Sequence, residues 1–345
     1  MRTNDAQMLV LSALAGGSLH GYAVNTAIER MTGARLGRGS LSSALSRLHG
    51  KGLIEYLDGE GRRRPLRLTQ AGQEALEGEI DSLSHVTRRI FETVVPDKIA
   101  FQDRLAATDL AHAYKQAALD ALAIQPGHLV LDLGCGPGTD LGMLARAAGP
   151  TGKVFGIDSD PQMTCQARAR IASVPQADVL LADVHALPLP ANSAHRVRTD
   201  RLLQHVADVP QVLAEVRRVL RPGGRLVMAE PDWDSLAVDY PDPDIARAYT
   251  RHVADQIVCN AIVGRQLVRL AAQAGFAVTS VEPVTSVFRD VQAADQVLGL
   301  QRNTERAVAA SYLTRRQADG WLRYLAQQPF FAAVTLYVVT AESPA

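Results

Sequence analysis

Leu129-Val130-Leu131-Asp132-Leu133-Gly134-Cys135-Gly136-Pro137-Gly138-Thr139 is a short apolar run that stops at three glycines on alternate positions. A helical pattern follows, with Leu141, Leu144 and Ala145 on one face. The stretch predicts a buried strand, a tight turn and a helix start. Glycines lack a Cβ, so they permit positive φ and let a ligand lie against the backbone. The helix N-terminus adds free N–H groups. A dinucleotide fingerprint requires G-x-G-x-x-G after the first strand. Here the order is G-x-G-x-G, Asp132 sits inside the strand end, and Thr139 stands where the third glycine would be.

The flanking sequence supplies partners for this turn. Gly152 to Asp158 reads as a second strand ending in an acid about 20 residues past the last glycine. An acid at that place accepts hydrogen bonds from ribose hydroxyls in nucleoside sites, which makes Asp158 the leading cofactor-binding candidate. Ser159 and Met163 fit an adenosine edge, where a thioether packs against the base. A helix is expected from Pro161 to about Ala172, and a third strand over Ala177 to Ala182 leads into Asp183 and Val184. An unusually polar fourth strand, His195 to Asp200, precedes a helix from Val209 to Leu220. Arg221-Pro222-Gly223-Gly224 then turns the chain into a fifth strand, Arg225 to Glu230.

These features, in this order, resemble the class I S-adenosylmethionine-dependent methyltransferases over residues 105–235 and on to the chain end. The resemblance implies an α/β, Rossmann-like seven-stranded sheet and S-adenosylmethionine as cofactor. It assigns Asp132, Gly134, Gly136 and Gly138 to the glycine motif, and Asp183 with Val184 to the adenine. A helix ahead of the motif often folds across the cofactor in this family, and Tyr114 is the candidate there. His205, in its Gln-His-Val context, is implied to lie on the cofactor side. The family fold also implies a reversed final hairpin.

With 345 residues, nearly half of them hydrophobic, the chain has material for two domains and real cores. Its formal net charge is zero, which excludes a global field toward nucleic acid or anionic membrane. Cys135, Cys165 and Cys259 lie far apart, so neither zinc nor a disulfide framework is expected, and no metal site is assigned. The apolar run Met8 to Ala15 is too short to span a bilayer and lacks a signal-peptide layout, consistent with a cytoplasmic protein.

Residues 1–95 carry their own pattern. Helices are expected over 5–15, from Leu19 through Arg30, and from a Ser40 cap to Gly50. Strands Gly52 to Leu57 and Arg64 to Leu68 flank a polar tip, and Thr69 caps a long helix to about Val94. Three helices, a hairpin and a helix make a winged helix-turn-helix. The words Leu19-His20-Gly21-Tyr22, Gly39-Ser40-Leu41, Gly52-Leu53-Ile54 and Leu68-Thr69-x-Ala71-Gly72 resemble the PadR-like regulators. In that family the last helix dimerises, and here it carries the stripe Leu76, Ile80, Leu83, Val86 and Ile90. Family members usually carry Tyr and Pro where this chain has Ser42 and Ser43. Residues 1–95 hold 12 Lys/Arg against 10 Asp/Glu, little surplus for phosphate neutralisation. DNA contact through Arg38, Arg47, Arg62, Arg63 and Arg64 is therefore the less favoured use, and a homodimer the more favoured one.

The organisation read from sequence is a winged helix over 1–95, a helical linker over 96–124 whose 98–123 segment is one helix, and a methyltransferase domain over 125–345. Ligands of an open parallel sheet lie beyond the carboxyl ends of the strands. The methyl acceptor then faces Asp200, Arg201, Gln204, His205 and the Pro231-Asp232-Trp233-Asp234 segment. Asp200 also falls within reach of the cofactor. His205, Asp232 and Asp234 are candidates for a base or for positioning the acceptor. Arg201, Gln204, Trp233, Asn260 and Arg265 are candidates for substrate contacts. Beyond them come a helix over 245–259, a sixth strand from Phe276 to Val281 or beyond, and a helical stretch from Val291 to Gln327. Phe330 to Ala341 alternates like an antiparallel edge strand. The functional expectation is O- or N-methylation of a small molecule, a secondary metabolite, with the winged helix dimerising the chain or capping its site. The alternative is a PadR-like regulator that uses the second domain as a ligand sensor.

Overall fold

The computed structural model describes residues 3–32, 35–57, 64–76, 97–327 and 329–344. Contacts divide the chain into two compact units, Met1–Arg89 and Ile90–Ala345.

In the first unit, helices α1 (Thr3–Leu14), α2 (Gly21–Thr32) and α3 (Arg38–Gly50) pack around Val10, Leu14, Val24, Ile28 and Leu48. Strands β1 (Leu19–His20), β2 (Ile54–Tyr56) and β3 (Pro65–Leu68) form an antiparallel sheet in the order β1-β3-β2. This is the winged helix-turn-helix arrangement. Two details differ from the sequence reading. Leu19 and His20 pair with Leu66 and Pro65 as a strand rather than opening α2. Helix α3 starts before Ser40, and its N-cap is Gly37, which has no side chain to cap with. Thr69 does cap the next helix, α4, of which residues 70–76 are described: its Oγ1 accepts from the Gly72 N–H at 3.1 Å. Ile80, Leu83, Val86 and Ile90 of the apolar stripe, and Arg62 and Arg63, lie outside the described residues.

The second unit is built on a seven-stranded sheet. Its strands are β4 (Leu129–Leu133), β5 (Lys153–Asp158), β6 (Ala177–Leu181), β7 (Ala194–Asp200), β8 (Leu220–Val238), β9 (Ala277–Phe288) and β10 (Ala332–Glu342). The order is β6-β5-β4-β7-β8-β10-β9, and only β10 runs antiparallel to its neighbours. The final hairpin is thus reversed, as the resemblance implied. The alternating segment at the chain end is nevertheless not an edge strand, because β10 inserts between β8 and β9 and leaves β9 at the edge. Alternation reports that the two faces differ in cover, not which neighbours the strand has.

Side chains alternate between the two faces of this sheet, as strand geometry requires. Val130, Val227, Ala229, Leu336 and Val338 meet α6 (Asp109–Leu122) and α7 (Leu141–Ala148). Leu131, Leu133, Met228 and Val339 meet α9 (Val209–Val219) and α11 (Val263–Gln273). The expected single helix over 98–123 is two, α5 (Lys98–Ala106) and α6, because Thr108 caps the second by accepting from the Ala111 N–H at 3.1 Å. Helix α8 (Pro161–Arg170) starts at an Asp160 cap.

A third apolar cluster lies beyond β8. Helix α10 (Pro243–His252), with α12 (Val291–Leu298), α13 (Leu300–Ala309) and α14 (Arg315–Leu325), packs around Tyr249, Trp321, Leu298 and Phe330. The expected helix over 245–259 ends instead in a π-helical turn, Val253–Ile257. The stretch after β9 is three helices, punctuated by Gly299 at φ +61° and by the Thr314–Gln317 capping box.

Candidate functional site

The glycine turn joins β4 to α7 and is tied to β5, where the Gly134 N–H donates to the Ile157 carbonyl at 2.7 Å. All three glycines have positive φ: +68° at Gly134, +53° at Gly136 and +76° at Gly138. A side chain at Gly134 would meet Leu202 at 2.7 Å, and one at Gly138 would meet Ala167 at 2.9 Å. A Cβ at Gly136 would meet nothing within 4 Å. Two glycines thus serve close packing, and the middle one leaves an open cradle against bare backbone.

Asp158 faces this cradle from the end of β5. Its Oδ2 accepts from the Gly136 N–H and its Oδ1 from the Asp160 N–H, both at 2.9 Å. A carboxylate has about four acceptor sites, so two remain for a ligand hydroxyl. Met163 is buried and Ser159 exposed. Asp183, at the end of β6, is 66% exposed at its side chain, and its Oδ1 accepts from the His185 N–H at 2.9 Å and lies 2.6 Å from His185 Nδ1. The His185 backbone N–H, then its ring, hold the Asp183 carboxyl below the usual carboxylate range. Val184 beside it is buried.

The polar fourth strand turns out to be the centre of a buried charge network. Arg196, Arg198 and Asp200 project to the α6 face at alternate positions. Arg198, 1% exposed, places Nη2 2.7 Å from Asp140 Oδ2 and 2.5 Å from Asp200 Oδ2, and Nη1 3.5 Å from Asp132 Oδ1. Lys115 joins from α6, 2.7 Å from Asp140 and 3.6 Å from Asp200. Tyr114 donates its hydroxyl to Asp200 Oδ1 at 3.0 Å. Asp140 occupies the N-cap of α7 yet makes no capping bond, since its carboxylate serves the two cations.

Burial governs the titration of this cluster. It pushes Asp132 up to about 7, with Arg198 pulling the other way. Against the same push, Arg198 and Lys115 hold Asp140 below the usual range. Burial, and next the Asp200 charge, lift the Tyr114 phenol well above its ordinary value, so it stays a donor. A folded-state value above the unfolded one means that the native chain holds an extra proton between the two. The stability that Asp132 contributes is present at low pH and lost as pH rises to about 7. Melting temperature measured from pH 5 to 8 should therefore fall more steeply for the wild type than for Asp132→Asn; equal slopes would refute the assignment.

The segment after β7 is held from beneath by Glu230. This fully buried carboxyl accepts from the backbone N–H groups of Leu202 at 2.9 Å and Leu203 at 2.7 Å, and from Gln204 at 3.3 Å. Burial raises Glu230 to about 8 against the pull of these donors. Arg201 adopts φ +55°, a left-handed conformation in which the Cβ of any residue but glycine crowds the backbone. Gln204 is buried, donating to the Arg201 carbonyl and accepting from the Trp233 indole N–H at 2.7 Å. Asn260 donates to the carbonyls of Leu203 and Val206, both at 2.8 Å, and so braces the same segment. His205 keeps an exposed edge. Loss of water around the rest of the ring, and then the Arg201 charge, hold its imidazole below the ordinary value, hence neutral at pH 7.

Asp232 and Asp234 point elsewhere. The Arg265 guanidinium of α11 donates to Asp232 through Nε and to Asp234 through Nη1, the latter at 3.1 Å. Asp232 Oδ1 is buried without a partner. The structure brings Tyr114, Asp132, Asp200 and Arg201 together on the α6 side. It brings Asp232, Asp234 and Arg265 together on the α11 side. Sequence reasoning missed Arg198, Lys115, Asp140 and Glu230. The available signal was charge at every second position of a strand destined for the middle of a sheet.

On the α6 side, beyond Tyr114, lies a narrow cavity of about 40 Å³. Leu105, Tyr114, Arg201, Trp233, Phe288 and Leu336 are among its walls. Helix α5 supplies Leu105 and is fastened across α8 by the Asp103–Arg170 pair, at 2.9 and 3.0 Å, and by Lys98–Asp160 at 3.1 Å.

Comparison with known proteins agrees with this architecture. A methyltransferase-domain family matches residues 130–224, and the transcriptional regulator PadR-like family matches residues 10–78. The chain is 62% identical over 343 residues to a 37.1 kDa protein in transposon TN4556 of Streptomyces fradiae, covering 99% of each. It is 35% identical over 141 residues to the 2-phytyl-1,4-naphtoquinone methyltransferase of Thermosynechococcus vestitus, 41% of this chain and 62% of that one. It is 38% identical over 110 residues to the demethylmenaquinone methyltransferase of Symbiobacterium thermophilum, 31% of this chain and 43% of that one. The match to these two enzymes thus spans less than two thirds of their length. The open cradle at Gly136 and the Asp158 carboxylate fit S-adenosylmethionine. The chain carries a methyltransferase domain with a PadR-like domain ahead of it, and it belongs to the same family as the transposon TN4556 protein.

Proposed function

We propose that the protein methylates oxygen or nitrogen of a small apolar molecule, a secondary metabolite, seated against the apolar wall beside Tyr114, where the narrow cavity of about 40 Å³ must widen to admit it. The observation that carries this reading is the apolar wall of Leu105, Trp233, Phe288 and Leu336 next to the Tyr114–Asp200 hydrogen bond, just past the carboxyl end of β7. Two relatives bear names that specify quinone substrates, which are largely apolar. In this reading Asp158 holds the ribose, Asp183 and Val184 the adenine, with Ser159 and Met163 along that edge. Asp132, Asp200, Tyr114 and the glycine turn hold the methionine end. Gln204 and Trp233 shape the acceptor side, with Asn260 supporting them. The PadR-like domain dimerises the chain in this reading.

The cofactor supplies a methyl group on a positively charged sulfur. The chain's own part is alignment of the acceptor's lone pair with that carbon, exclusion of water, and a negative environment for the sulfonium. Orientation alone reaches effective molarities on the order of 10⁵ M in well-aligned systems. His205, neutral at pH 7 and following Arg201 in the same segment, is the group we assign to take a proton from the acceptor. Asp232 and Asp234, tied to Arg265, have an ion-pairing role in this reading.

Incubation with methyl-tritiated S-adenosylmethionine and a panel of apolar phenols and amines tests the proposal. Label should appear in a member of that panel. Transfer confined to protein or nucleic acid would overturn it. A mobility-shift assay at physiological salt separates the regulator: specific nanomolar DNA binding without methyl transfer would favour the sensor role.

A further inference from the structure

Among the described residues, Arg201 is a cation without a paired anion. It lines the cavity beside Tyr114, is half-buried, and among the described residues its guanidinium makes no hydrogen bond or ion pair. The nearest acids are engaged elsewhere. Asp200, the preceding residue, takes Arg198 and the Tyr114 hydroxyl. Glu230 is spent on the backbone N–H groups of residues 202–204. A half-buried guanidinium against an apolar wall is costly unless an acceptor arrives. The backbone adds to that cost, because Arg201 sits at φ +55°, where glycine would be at ease. Strain of this sort is retained where the surrounding structure over-determines a residue, and such places cluster at ligand sites. Here the overdetermination is visible: the Arg201 N–H donates to the Ala229 carbonyl at 2.8 Å, its own carbonyl accepts from Gln204, and Glu230 pins the next three residues.

We propose that the methyl acceptor carries a carboxylate on an apolar body, and that Arg201 binds that carboxylate at the cavity wall. The inference rests on the methyltransferase reading and narrows it to a substrate class. The planar fork of arginine matches a carboxylate with two parallel hydrogen bonds, a geometry that a lysine cannot reproduce. Leu105, Trp233 and Phe288 offer an apolar wall for the body, which must part them to enter the cavity of about 40 Å³. Gln204 fixes the Trp233 indole edge and also donates to the Arg201 backbone carbonyl, so one side chain positions both the ring and the backbone that carries the arginine.

The test is calorimetric binding of matched acid and amide probes to the full chain saturated with S-adenosylhomocysteine: benzoate against benzamide, and 2-naphthoate against 2-naphthamide. In the wild type each acid should bind about tenfold or more tightly than its amide, the usual scale for a hydrogen bond to a charged group. Arg201→Gly suits the backbone at that position and should keep the fold while losing the preference. Arg201→Lys should retain only part of it. If the homologue binds but acid and amide bind alike, or neither binds at millimolar concentration, the carboxylate inference is overturned and the methyltransferase reading stands. If the preference survives in Arg201→Gly, the anchor is not Arg201 and the inference is likewise overturned. Failure to bind the homologue itself would strike the methyltransferase reading, and the inference with it.

Discussion

Replacing Arg198 by methionine should lower stability by about 3–5 kcal/mol, the usual cost of removing one partner from a buried ion pair. Three carboxylates converge on this side chain, from Asp132 in β4, Asp140 at the start of α7 and Asp200 at the end of β7. Without it, Lys115 is the cation left among them, and it reaches Asp140 at 2.7 Å and Asp200 at only 3.6 Å. Each acid that stays ionised would then be desolvated without compensation, and each that takes up a proton would lose its charge-assisted bond. For a unit of this size the expected fall in melting temperature is about 10 °C. Arg198→Lys should recover only part of the loss, because a compact ammonium lacks the wide planar fork by which Arg198 reaches three separate carboxylates. Adding Asp200→Asn to Arg198→Met should relieve some of the uncompensated charge and raise the melting temperature again. A loss of under a degree or two in Arg198→Met would show that the network contributes little to the fold.

Gly136→Val should abolish most cofactor affinity while costing the fold little. The Cβ would enter open space, so nothing in the protein opposes it except the backbone at φ +53°. That strain is on the order of 1–2 kcal/mol. The valine would occupy the cradle itself, and a loss of roughly 100-fold in affinity, ~2.7 kcal/mol, is expected. Gly134→Val should behave in the opposite sense. Its Cβ would strike Leu202 at 2.7 Å, so unfolding should precede any specific binding defect. Equal affinities for wild type and Gly136→Val would mean that the ligand does not approach this loop.

The two halves of the cofactor site differ in how far the sequence reveals them. The turn from Leu133 through Thr139 is punctuated by glycine and flanked by a helix and strands of clear period, so its place and shape follow from local rules. Asp158 follows likewise, being the acid at the end of the next strand. The charge network is a different matter. The anomalous polarity of β7 is plain in the sequence, yet Arg198 finds Asp140 from 58 residues away and Asp132 from 66. No periodicity links such positions; the sheet order does. Glu230 is hidden for a related reason. It ends an apolar run, and its service to the residues 202–204 backbone appears only once β7 and β8 are paired.

Boundaries show the same division. Thr108 carries a capping side chain within a continuous apolar pattern, and the pattern masked the cap, so two helices read as one. The alternation of β10 predicts a strand with unlike faces, which it is, but not that β8 and β9 would close on both sides of it. Asp232 and Asp234 are candidates for catalysis in sequence, and that Arg265 of α11 pairs with both emerges only from the fold.

Calorimetric binding of S-adenosylmethionine and S-adenosylhomocysteine to the wild type and to Asp158→Ala tests the account most directly. Asp158 joins the cradle to the end of β5 through the Gly136 N–H, and it is where the ribose hydroxyls are proposed to bind. The account predicts saturable binding of both ligands by the wild type and loss of most of that affinity in a variant that stays folded. Undiminished affinity in Asp158→Ala, or no binding of either ligand by the folded wild type, would contradict it.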